Sequence, residues 1–433
     1  MPNLFTQKLN IINFGNPSEN RNVRDIQVDY IPEAEGDRIL SGLMDSMSSK
    51  KEKLAQANAD AVKILNECTP FLTDIAPARE CIPGMGDRTF LHSGPPVNSF
   101  DELGVQLRQA LDAAAVHEGF AFNADEADAK FRDGKLQFDA ASHHSAGAAD
   151  CGVISPSMPV FCIYEPVHGN HSYAPLLCMG TAQISDGSSS EDAVNGMIKT
   201  EEYMYPLLKK ALLAHGDLDV FSIISAGIQC GDECCRRFEA SSMFFFRELL
   251  PYLPVSALSD ISAYLSNSRL MANILIAANI AVFSSIALMP AALLFNLGSN
   301  GKRIGARVCG NTDTWFTAEL PEDFTCGDEI SSELLGLGSV AAASSPLVLR
   351  DCHMGELDAI NHMYDYYECS CGQFDSVRLP FASLHGAPVA DIYRMVRASK
   401  PIMILGKKDG KTSIFNAGIT LQASALASLL NNF

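Results

Sequence analysis

Apolar residues recur with different periods along this chain, and the change of period divides it into three predicted parts. In residues 1–189, short apolar runs broken by Gly and Pro alternate with helical patterns, as in strand–loop–helix segments. In residues 190–297, apolar residues keep helical spacing almost throughout. Strand patterns return in residues 298–433. We therefore predict an α/β (α+β) fold in which two α/β regions flank an inserted all-helical domain.

The same periodicities predict individual elements. Strands are expected at 26–31, 153–164, 176–184, 304–308 and 314–317, and helices at 37–67, 100–118, 201–215, 217–229, 233–250, 256–266, 354–366 and 418–430.

One segment, residues 270–301, contains no charged residue and is long enough to span a bilayer. It also carries Asn273, Asn279 and Pro290 among many alanines, which contribute little to membrane insertion. We expect a buried helix, or two short helices broken near Pro290, and no membrane span.

Composition narrows the class of protein. The chain has 433 residues, of which 47% are hydrophobic and 19% charged, so a large globular core is expected. Its net charge of −19 repels phosphate backbones and argues against a nucleic-acid partner. The 13 cysteines and the absence of a secretory signal in residues 1–14 predict reduced thiols in the cytoplasm.

Three segments combine Gly, Pro and polar residues in tight runs: 82–96, 151–159 and 230–237. Such runs form rigid loops that present backbone N–H groups and short side chains to a ligand. The cysteines show no paired spacing typical of a zinc site, and no dinucleotide or phosphate-loop fingerprint occurs. We therefore expect no cofactor and no metal.

In their order and spacing, these three runs resemble the AllG-like (YlbE-like) family, formerly a domain of unknown function. The family is the large subunit of the oxamate carbamoyltransferase of anaerobic allantoin degradation. The resemblance extends over residues 57–397 and includes the runs His143-His144, His168-Gly-Asn170, 300–318 and 327–338. It implies carbamoyl transfer between oxalurate and phosphate, giving oxamate and carbamoyl phosphate, in an oligomeric complex with other subunits.

The resemblance and the residue types together select candidate site residues. His144 is the candidate for proton transfer, beside Asp232 and Glu233 as the other catalytic candidates. Arg237 and Arg307 are expected to bind an anion. The substrate-binding candidates are His92, Gly94, His143, Ser155, Ser157, Asn170, Arg237, Asn300, Arg307 and Glu333. We expect their loops to converge on one cleft between the α/β parts.

Structural roles for several of these residues stay open. The two adjacent histidines also fit a structural pair with backbone partners. Asp232 also fits the N-cap of a helix running to residue 250, with Glu233 favoured by the helix dipole. The basic turn that contains Arg307 also fits a solvated surface.

The chain departs from the family pattern at several positions. Cys235 stands where the family has His, Arg236 where it has Gln or Asn, and His171 where it has Arg. These departures keep two other hypotheses open. One is a non-catalytic scaffold subunit of a multi-subunit transfer complex, and the other is a different amide or ureido transferase.

Overall fold

The computed structural model describes residues 49–188, 190–267 and 269–430. It consists of helices and five small sheets, so the predicted α+β class is confirmed. The strand predicted at 26–31 and the first part of the helix predicted at 37–67 lie outside the described residues.

The described helices mostly follow the predicted helical periodicity. In chain order they are α1 (Lys51–Glu67), α2 (Ala78–Cys81), α3 (Val105–His117), α4 (Ala124–Arg132), α5 (Glu191–Lys199), α6 (Tyr205–His215), α7 (Val220–Gln229), α8 (Glu239–Leu249), α9 (Leu258–Leu265), α10 (Arg269–Ser284), α11 (Pro346–Asp351), α12 (Glu356–Glu368), α13 (Ile392–Arg397) and α14 (Gly418–Leu430).

The described strands are short. In chain order they are β1 (Phe71–Pro77), β2 (Thr89–His92), β3 (Gln137–Ala140), β4 (Val153–Ile154), β5 (Pro159–Glu165), β6 (Asn170–Pro175), β7 (Leu218–Asp219), β8 (Leu294–Ser299), β9 (Arg303–Val308), β10 (Asn311–Glu319), β11 (Phe324–Thr325), β12 (Ser370–Arg378), β13 (Gly386–Ala390), β14 (Met403–Lys408) and β15 (Lys411–Asn416). The sheet orders are β6-β5-β1-β7, β3-β2-β4, β10-β9-β8, β11-β14-β15 and β12-β13.

Short polar side chains begin several of these helices. The Asn123 side chain accepts the Glu126 N–H at the start of α4, and Asp219 accepts the Ser222 N–H at the start of α7. Each satisfies one of the backbone donors that a helix leaves free at its first turn.

The uncharged segment forms a buried helix in its first half. Helix α10 packs across β5 and β6, and 13 of its 16 residues are buried. This half of the prediction is confirmed. The second half is wrong, because the chain after Pro290 pairs as strand β8 with β9 rather than forming another helix. Among the described residues, no single helix is long and apolar enough to cross a membrane. The segments Val255–Leu265 and Arg269–Ser284, which meet at a sharp bend, reach that length and apolar composition only when taken together.

Two other predicted elements are wrong. Residues 176–183 form a loop instead of a strand, because the Gln183 side chain occupies both the N–H and the C=O of Cys178 at 2.9 Å. The helix predicted from Glu233 begins at Glu239, since residues 230–238 form an irregular loop.

The largest cluster of buried apolar side chains runs from Leu54 to Leu430 and draws on all three predicted parts. One continuous core therefore fixes the loops between them. The domain boundaries at 189/190 and 297/298 remain a prediction.

Candidate functional site

Four loops meet where the predicted parts adjoin, and two consecutive acids hold them there. The Asp328 carboxylate accepts the Gly94 N–H at 2.8 Å and the Ala148 N–H at 3.1 Å. The Glu329 carboxylate accepts the Asp150 N–H at 2.8 Å. The loops that contain Gly94 and Asp150 are therefore fixed against the turn that follows β11.

Asp328 holds these loops from a half-buried position. Burial raises the pKa of its carboxyl group to about 8, although the N–H groups of Ala148 and Gly94 act in the opposite direction. Gly94 has a φ of +82°, and a Cβ on it would lie 2.2 Å from the backbone of Asn300. Only glycine allows this close approach.

The fourth loop adds Arg236 to this junction, and helix α10 and strand β14 add Arg269 and Lys407. The Asp150 carboxylate, 7% exposed, lies 3.0 Å from an Arg236 guanidinium nitrogen, 2.9 Å from Arg269 Nε and 3.2 Å from Lys407 Nζ. Burial by itself would raise the pKa of Asp150, but the charges of Arg236, Lys407 and Arg269 outweigh it and hold the pKa below its usual range. We call Asp150, Arg236, Arg269, Glu329 and Lys407 the cationic cluster.

Arg236 is the most buried cation of this cluster, with 8% of its side chain exposed. It pairs with Glu329 at 2.6 Å in addition to Asp150, and these two charges outweigh burial and raise its pKa. Its Nε is buried and has no hydrogen-bond partner among the described residues. Buried donors are seldom left unpaired in native proteins, so a missing partner at this position suggests a ligand.

The backbone beside the cluster adopts an uncommon conformation. Asp150 has a φ of +54°, and Cys234, two residues before Arg236, has a φ of +61°. Asp tolerates this left-handed region better than most residues, whereas Cys has no such preference. Strained positions held by the surrounding structure often occur at ligand sites.

Two cavities adjoin the cluster, and Asp150 and Lys407 line both of them. The smaller, of about 60 Å³, has room for one small ion or a few water molecules and is lined by Ala149, Asp150, Cys235, Arg236, Phe238, Arg269, Ala272, Glu329 and Lys407. The larger, of about 360 Å³, is lined by Gln106, Asp150, Cys151, Ser185, Asp186, Glu322, Asp323, Thr325, Lys407, Asp409 and Gly410.

The lining offers charge but no activated nucleophile among the described residues. Burial raises the pKa of the Cys151 thiol to about 12, and it raises the pKa of the Cys235 thiol as well. Both are therefore protonated at neutral pH and are weak nucleophiles. No described histidine lines either cavity. The arrangement is suited to binding and orienting a small charged molecule.

The predicted proton-transfer residue, His144, lies outside this lining. Its Nδ1 is 2.7 Å from the Pro83 carbonyl oxygen and its Nε2 is 3.2 Å from the Asp139 carboxylate. His143 contacts the same carboxylate at 2.8 Å. Both histidines lie at the end of β3 and have structural partners. This fits the alternative interpretation, in which the two adjacent histidines form a structural pair.

The predicted catalytic acids Asp232 and Glu233 lie in the loop after α7, and Glu333 lies in the turn after β11. None of the three lines either cavity. Asp232 accepts the N–H and the O–H of Ser241 at 2.7 and 2.8 Å and so caps α8. Glu233 accepts the Arg237 N–H at 2.9 Å. Glu333 accepts the Ser339 N–H and O–H and the Leu405 N–H.

The two predicted anion-binding arginines have other partners. Arg237 pairs with Glu239 at 3.0 Å on the surface. Arg307 lies over the Phe295 and Trp315 rings, 4.8 and 5.2 Å from their centroids, and donates to the Thr312 carbonyl oxygen at 2.9 Å. Neither arginine lines the two cavities at the cationic cluster.

The other predicted residues lie at different places in the fold. His92 is buried against the Ser93 carbonyl oxygen, and burial lowers its pKa to about 4. The hydroxyl groups of Ser155 and Ser157 donate to one carboxylate oxygen of Glu118, at 2.6 and 2.9 Å.

Two predicted amide side chains serve the backbone around them. Asn170 donates to the Ala281 carbonyl oxygen at 3.0 Å. The Asn300 side-chain oxygen accepts the backbone N–H groups of Lys302 and Arg303, which closes the turn before β9.

Sequence reasoning found the loops but missed the side chains that carry charge into the junction. Asp150 immediately precedes one highlighted run, and Arg236 lies inside another. Arg269 and Lys407 lay in segments without a motif. The signal in the sequence was Asp150 together with Arg236, an arginine inside a Cys-rich run. A single sequence does not show whether such a pair is buried or lies on the surface.

The comparisons with known proteins agree with the sequence motifs. The family model for the oxamate carbamoyltransferase subunit AllG matches residues 136–325. The uncharacterized protein YahG of Escherichia coli (strain K12) is 24% identical over 96% of this chain and 95% of its own. The oxamate carbamoyltransferase subunit AllG of the same organism is 25% identical over 87% of this chain and 93% of its own.

A solved structure shows the same fold. The crystal structure of a conserved protein of unknown function from Enterococcus faecalis V583 matches with a TM-score of 0.82 and 23% identity, over 88% of this chain and 98% of that one. The resemblance indicated by the sequence motifs is confirmed by the family model and by the similarity to the AllG subunit.

Proposed function

We propose that this chain is a subunit of a carbamoyltransferase-type enzyme, and that its cationic cluster binds the anionic end of an amide- or ureido-carboxylate or of phosphate. The observation that carries the proposal is the convergence of Arg236, Arg269 and Lys407 on the single carboxylate of Asp150 beside two cavities. The unpaired Nε of Arg236 supplies a donor that no described protein group uses.

The substrates implied by the AllG relatives carry a carboxylate and N–H groups, and this lining offers hydrogen-bond donors for the first and acceptors for the second. Oxamate and oxalurate each carry a carboxylate at one end and N–H donors beside it. Arg236, Arg269 and Lys407 are donors for the carboxylate, and guanidinium groups bind it through two parallel hydrogen bonds. Asp150 and Glu329 are acceptors for the N–H groups.

The proposed reaction balances without a protein nucleophile. An oxygen of hydrogen phosphate attacks the terminal carbonyl carbon of oxalurate, and the new C–O bond forms as the bond from that carbon to the inner nitrogen breaks. The phosphate proton moves to the departing nitrogen, which leaves as the amide of oxamate, and carbamoyl phosphate remains. The cations would stabilise the negative charge that develops on the attacked carbonyl oxygen.

A scaffold role is the second candidate, and one observation favours it. Among the described residues, Arg236, Arg269 and Lys407 are each already paired with a carboxylate, and no histidine lines the cavities. On this hypothesis the cluster would fasten the four loops while chemistry occurs on another subunit. A transferase for a different ureido or amide compound is the third candidate.

The test compares ligands that differ in one group. Oxamate and oxalate have nearly the same shape, but oxalate replaces the amide by a second carboxylate and loses the N–H donors. Calorimetric titration of the full chain should show tighter binding of oxamate, because Asp150 and Glu329 would accept its N–H groups and would repel a second carboxylate. Equal binding of both ligands would contradict the assigned contacts.

Turnover separates the candidates. Phosphate release from carbamoyl phosphate and oxamate should require this chain together with its partner subunits, and Arg269→Gln should reduce it at least about tenfold, since one charge-assisted hydrogen bond contributes roughly 1.5–3 kcal/mol. Arg247→Gln, on an exposed face of α8, is the matched control. Full turnover with Arg269→Gln would support the scaffold role, and turnover of another ureido compound alone would support the third candidate.

A further inference from the structure

A second group of polar side chains lies away from the cationic cluster, at the turn between β5 and β6. The thiol of Cys68, the carboxylate of Glu165 and the imidazole of His168 have donor atoms that all lie within 4.8 Å of one another. Cys68 is 1% exposed and Glu165 is fully buried, whereas the His168 side chain is 26% exposed and reaches the surface. A small ion could therefore enter from solvent past the imidazole.

The spacing of these atoms matches tetrahedral coordination. The Cys68 Sγ lies 3.6 Å from His168 Nδ1, and this Nδ1 lies 3.1 Å from Glu165 Oε2. With the usual zinc bond lengths and tetrahedral angles, sulfur and nitrogen ligands are about 3.6 Å apart, and nitrogen and oxygen ligands about 3.4 Å apart. The observed Sγ–Nδ1 distance matches this geometry, and the Nδ1–Oε2 distance is about 0.3 Å shorter than it requires.

The neighbouring residues offer a fourth ligand for an ion. Among the described residues, they also leave Glu165 without a lysine or arginine that would compete with the ion for its carboxylate. Ser285 Oγ lies 3.5 Å from the Cys68 sulfur and accepts a hydrogen bond from the Asn170 amide at 2.7 Å. Among the described residues, no Lys or Arg forms an ion pair with Glu165, and only His168 does so. The Glu165 carboxylate accepts the Val167 and His168 N–H groups at 2.9 and 2.8 Å, which stabilise its charge and leave lone pairs for an ion.

We propose that Cys68, Glu165 and His168 form a binding site for a divalent metal ion such as Zn²⁺, with Ser285 Oγ or a water molecule as the fourth ligand. Thiolate, imidazole and carboxylate together select a borderline-soft ion such as Zn²⁺ over Mg²⁺ or Ca²⁺. Cysteine spacing did not predict this site, because the ligands come from distant parts of the chain and only the fold brings them together.

The position of the ligands assigns the ion a stabilising role. Cys68 ends α1, the Glu165 to His168 turn joins β5 to β6, and Ser285 follows α10. An ion bound here would link three elements of the large core. An ion that binds the folded state and not the unfolded chain raises the melting temperature.

The experiment uses the full chain, freed of metal by a chelator and titrated with Co²⁺ and then Zn²⁺. We expect one ion per chain, a thiolate-to-cobalt absorption band, and a rise in Tm of several degrees with Zn²⁺. Cys68→Ser should abolish the band, and His168→Gln should weaken Co²⁺ binding at least tenfold. His171→Ala and Cys230→Ser, which alter a histidine on the same hairpin and an exposed thiol, should leave both results unchanged.

Two outcomes would overturn the site. The first is a wild-type chain that shows no thiolate band and no rise in Tm with either ion. The second is a band that survives Cys68→Ser but disappears with Cys230→Ser, which would assign the ion to the exposed thiol. Circular dichroism of each variant confirms folding, and the wild-type band tests thiolate ligation even where a variant fails to fold.

Discussion

Two pairs of buried carboxylates, Asp150 with Glu329 and Glu233 with Glu333, differ in the charges that surround them. Asp150 and Glu329 face Arg236, which pairs with both of them. Glu233 and Glu333 accept hydrogen bonds from backbone N–H groups and from a serine hydroxyl, and no described Lys or Arg pairs with either side chain. Burial is nearly complete in both groups, so the neighbouring charges decide the difference.

The difference assigns the two groups different tasks. Burial raises the pKa of Glu233 to about 7 and that of Glu333 to about 8, whereas the cations hold Asp150 ionised. The acid pair Glu233 and Glu333 therefore fastens loops with carboxyl groups that retain a proton into the neutral pH range. The cationic cluster keeps full charges beside a cavity, which is what recognition of a small anion needs.

The largest expected effect comes from the two neighbouring arginines. Arg236→Gln should lower the free energy of unfolding by about 3–5 kcal/mol, because it leaves the buried Glu329 without its cation and removes one of the three cations around Asp150. Arg237→Gln should change it by about 0–1 kcal/mol, since the pair with Glu239 lies on the surface. Urea unfolding of both variants measures the contrast, and equal losses would contradict the burial assigned to Arg236.

The acid pair predicts how stability depends on pH. A carboxyl group whose folded pKa is raised takes up a proton on folding, so its contribution is full below its unfolded pKa, near 4.5, and is lost as pH rises through the folded value. Stability should therefore fall between pH 5 and pH 8, by at most about 1.4 kcal/mol per pH unit for each proton. Asp328, whose pKa is also raised, adds to this slope, and His92, whose pKa is lowered, opposes it below about pH 6.5. Asp150 adds no slope there, because its lowered pKa places its loss of stability in acid.

Glu333→Gln tests the source of this slope, since glutamine resembles the protonated acid. The variant should show a flatter dependence between pH 5 and pH 8 in urea unfolding. Glu356→Gln, on the exposed first turn of α12, is the control and should keep the wild-type slope. A slope that Glu333→Gln leaves unchanged would mean that the titrating group lies elsewhere.

Asp150→Asn is expected to strengthen anion binding, an effect smaller than the losses of stability described above. Asparagine accepts the left-handed backbone of this position, and the change removes the carboxylate that occupies the three cations. Phosphate should then bind about tenfold more tightly and raise the Tm of the variant more than that of the wild type. Weaker phosphate binding by the variant would show that Asp150 assists the anion rather than competing with it.

The sequence predicted the class of fold and most helices, and the runs 82–96, 151–159 and 230–237 drew attention to three of the loops at the junction. These features follow from local periodicity and from Gly and Pro in short runs, which act over a few residues. It did not predict the charged centre. Arg236 and Arg237 are adjacent and chemically identical, and only the irregular loop before α8 places one against Asp150 and the other against Glu239.

The strand predicted at 176–184 failed for a related reason. Its run of apolar residues is present, but the Gln183 side chain occupies the backbone groups of Cys178 that a neighbouring strand would need. A side chain that returns to the backbone in this way leaves no trace in hydrophobic periodicity. Contacts between distant segments decided both the charged centre and this loop.

The most direct test of the cationic cluster uses two adjacent lysines on β14. Lys407 pairs with Asp150 at 3.2 Å, and Lys408 pairs with Asp323 at 2.9 Å on the more exposed side. Calorimetric titration with phosphate should show binding by the wild type, affinity about tenfold weaker for Lys407→Gln, and unchanged affinity for Lys408→Gln. No binding by the wild type, or equal affinity in all three proteins, would contradict the account.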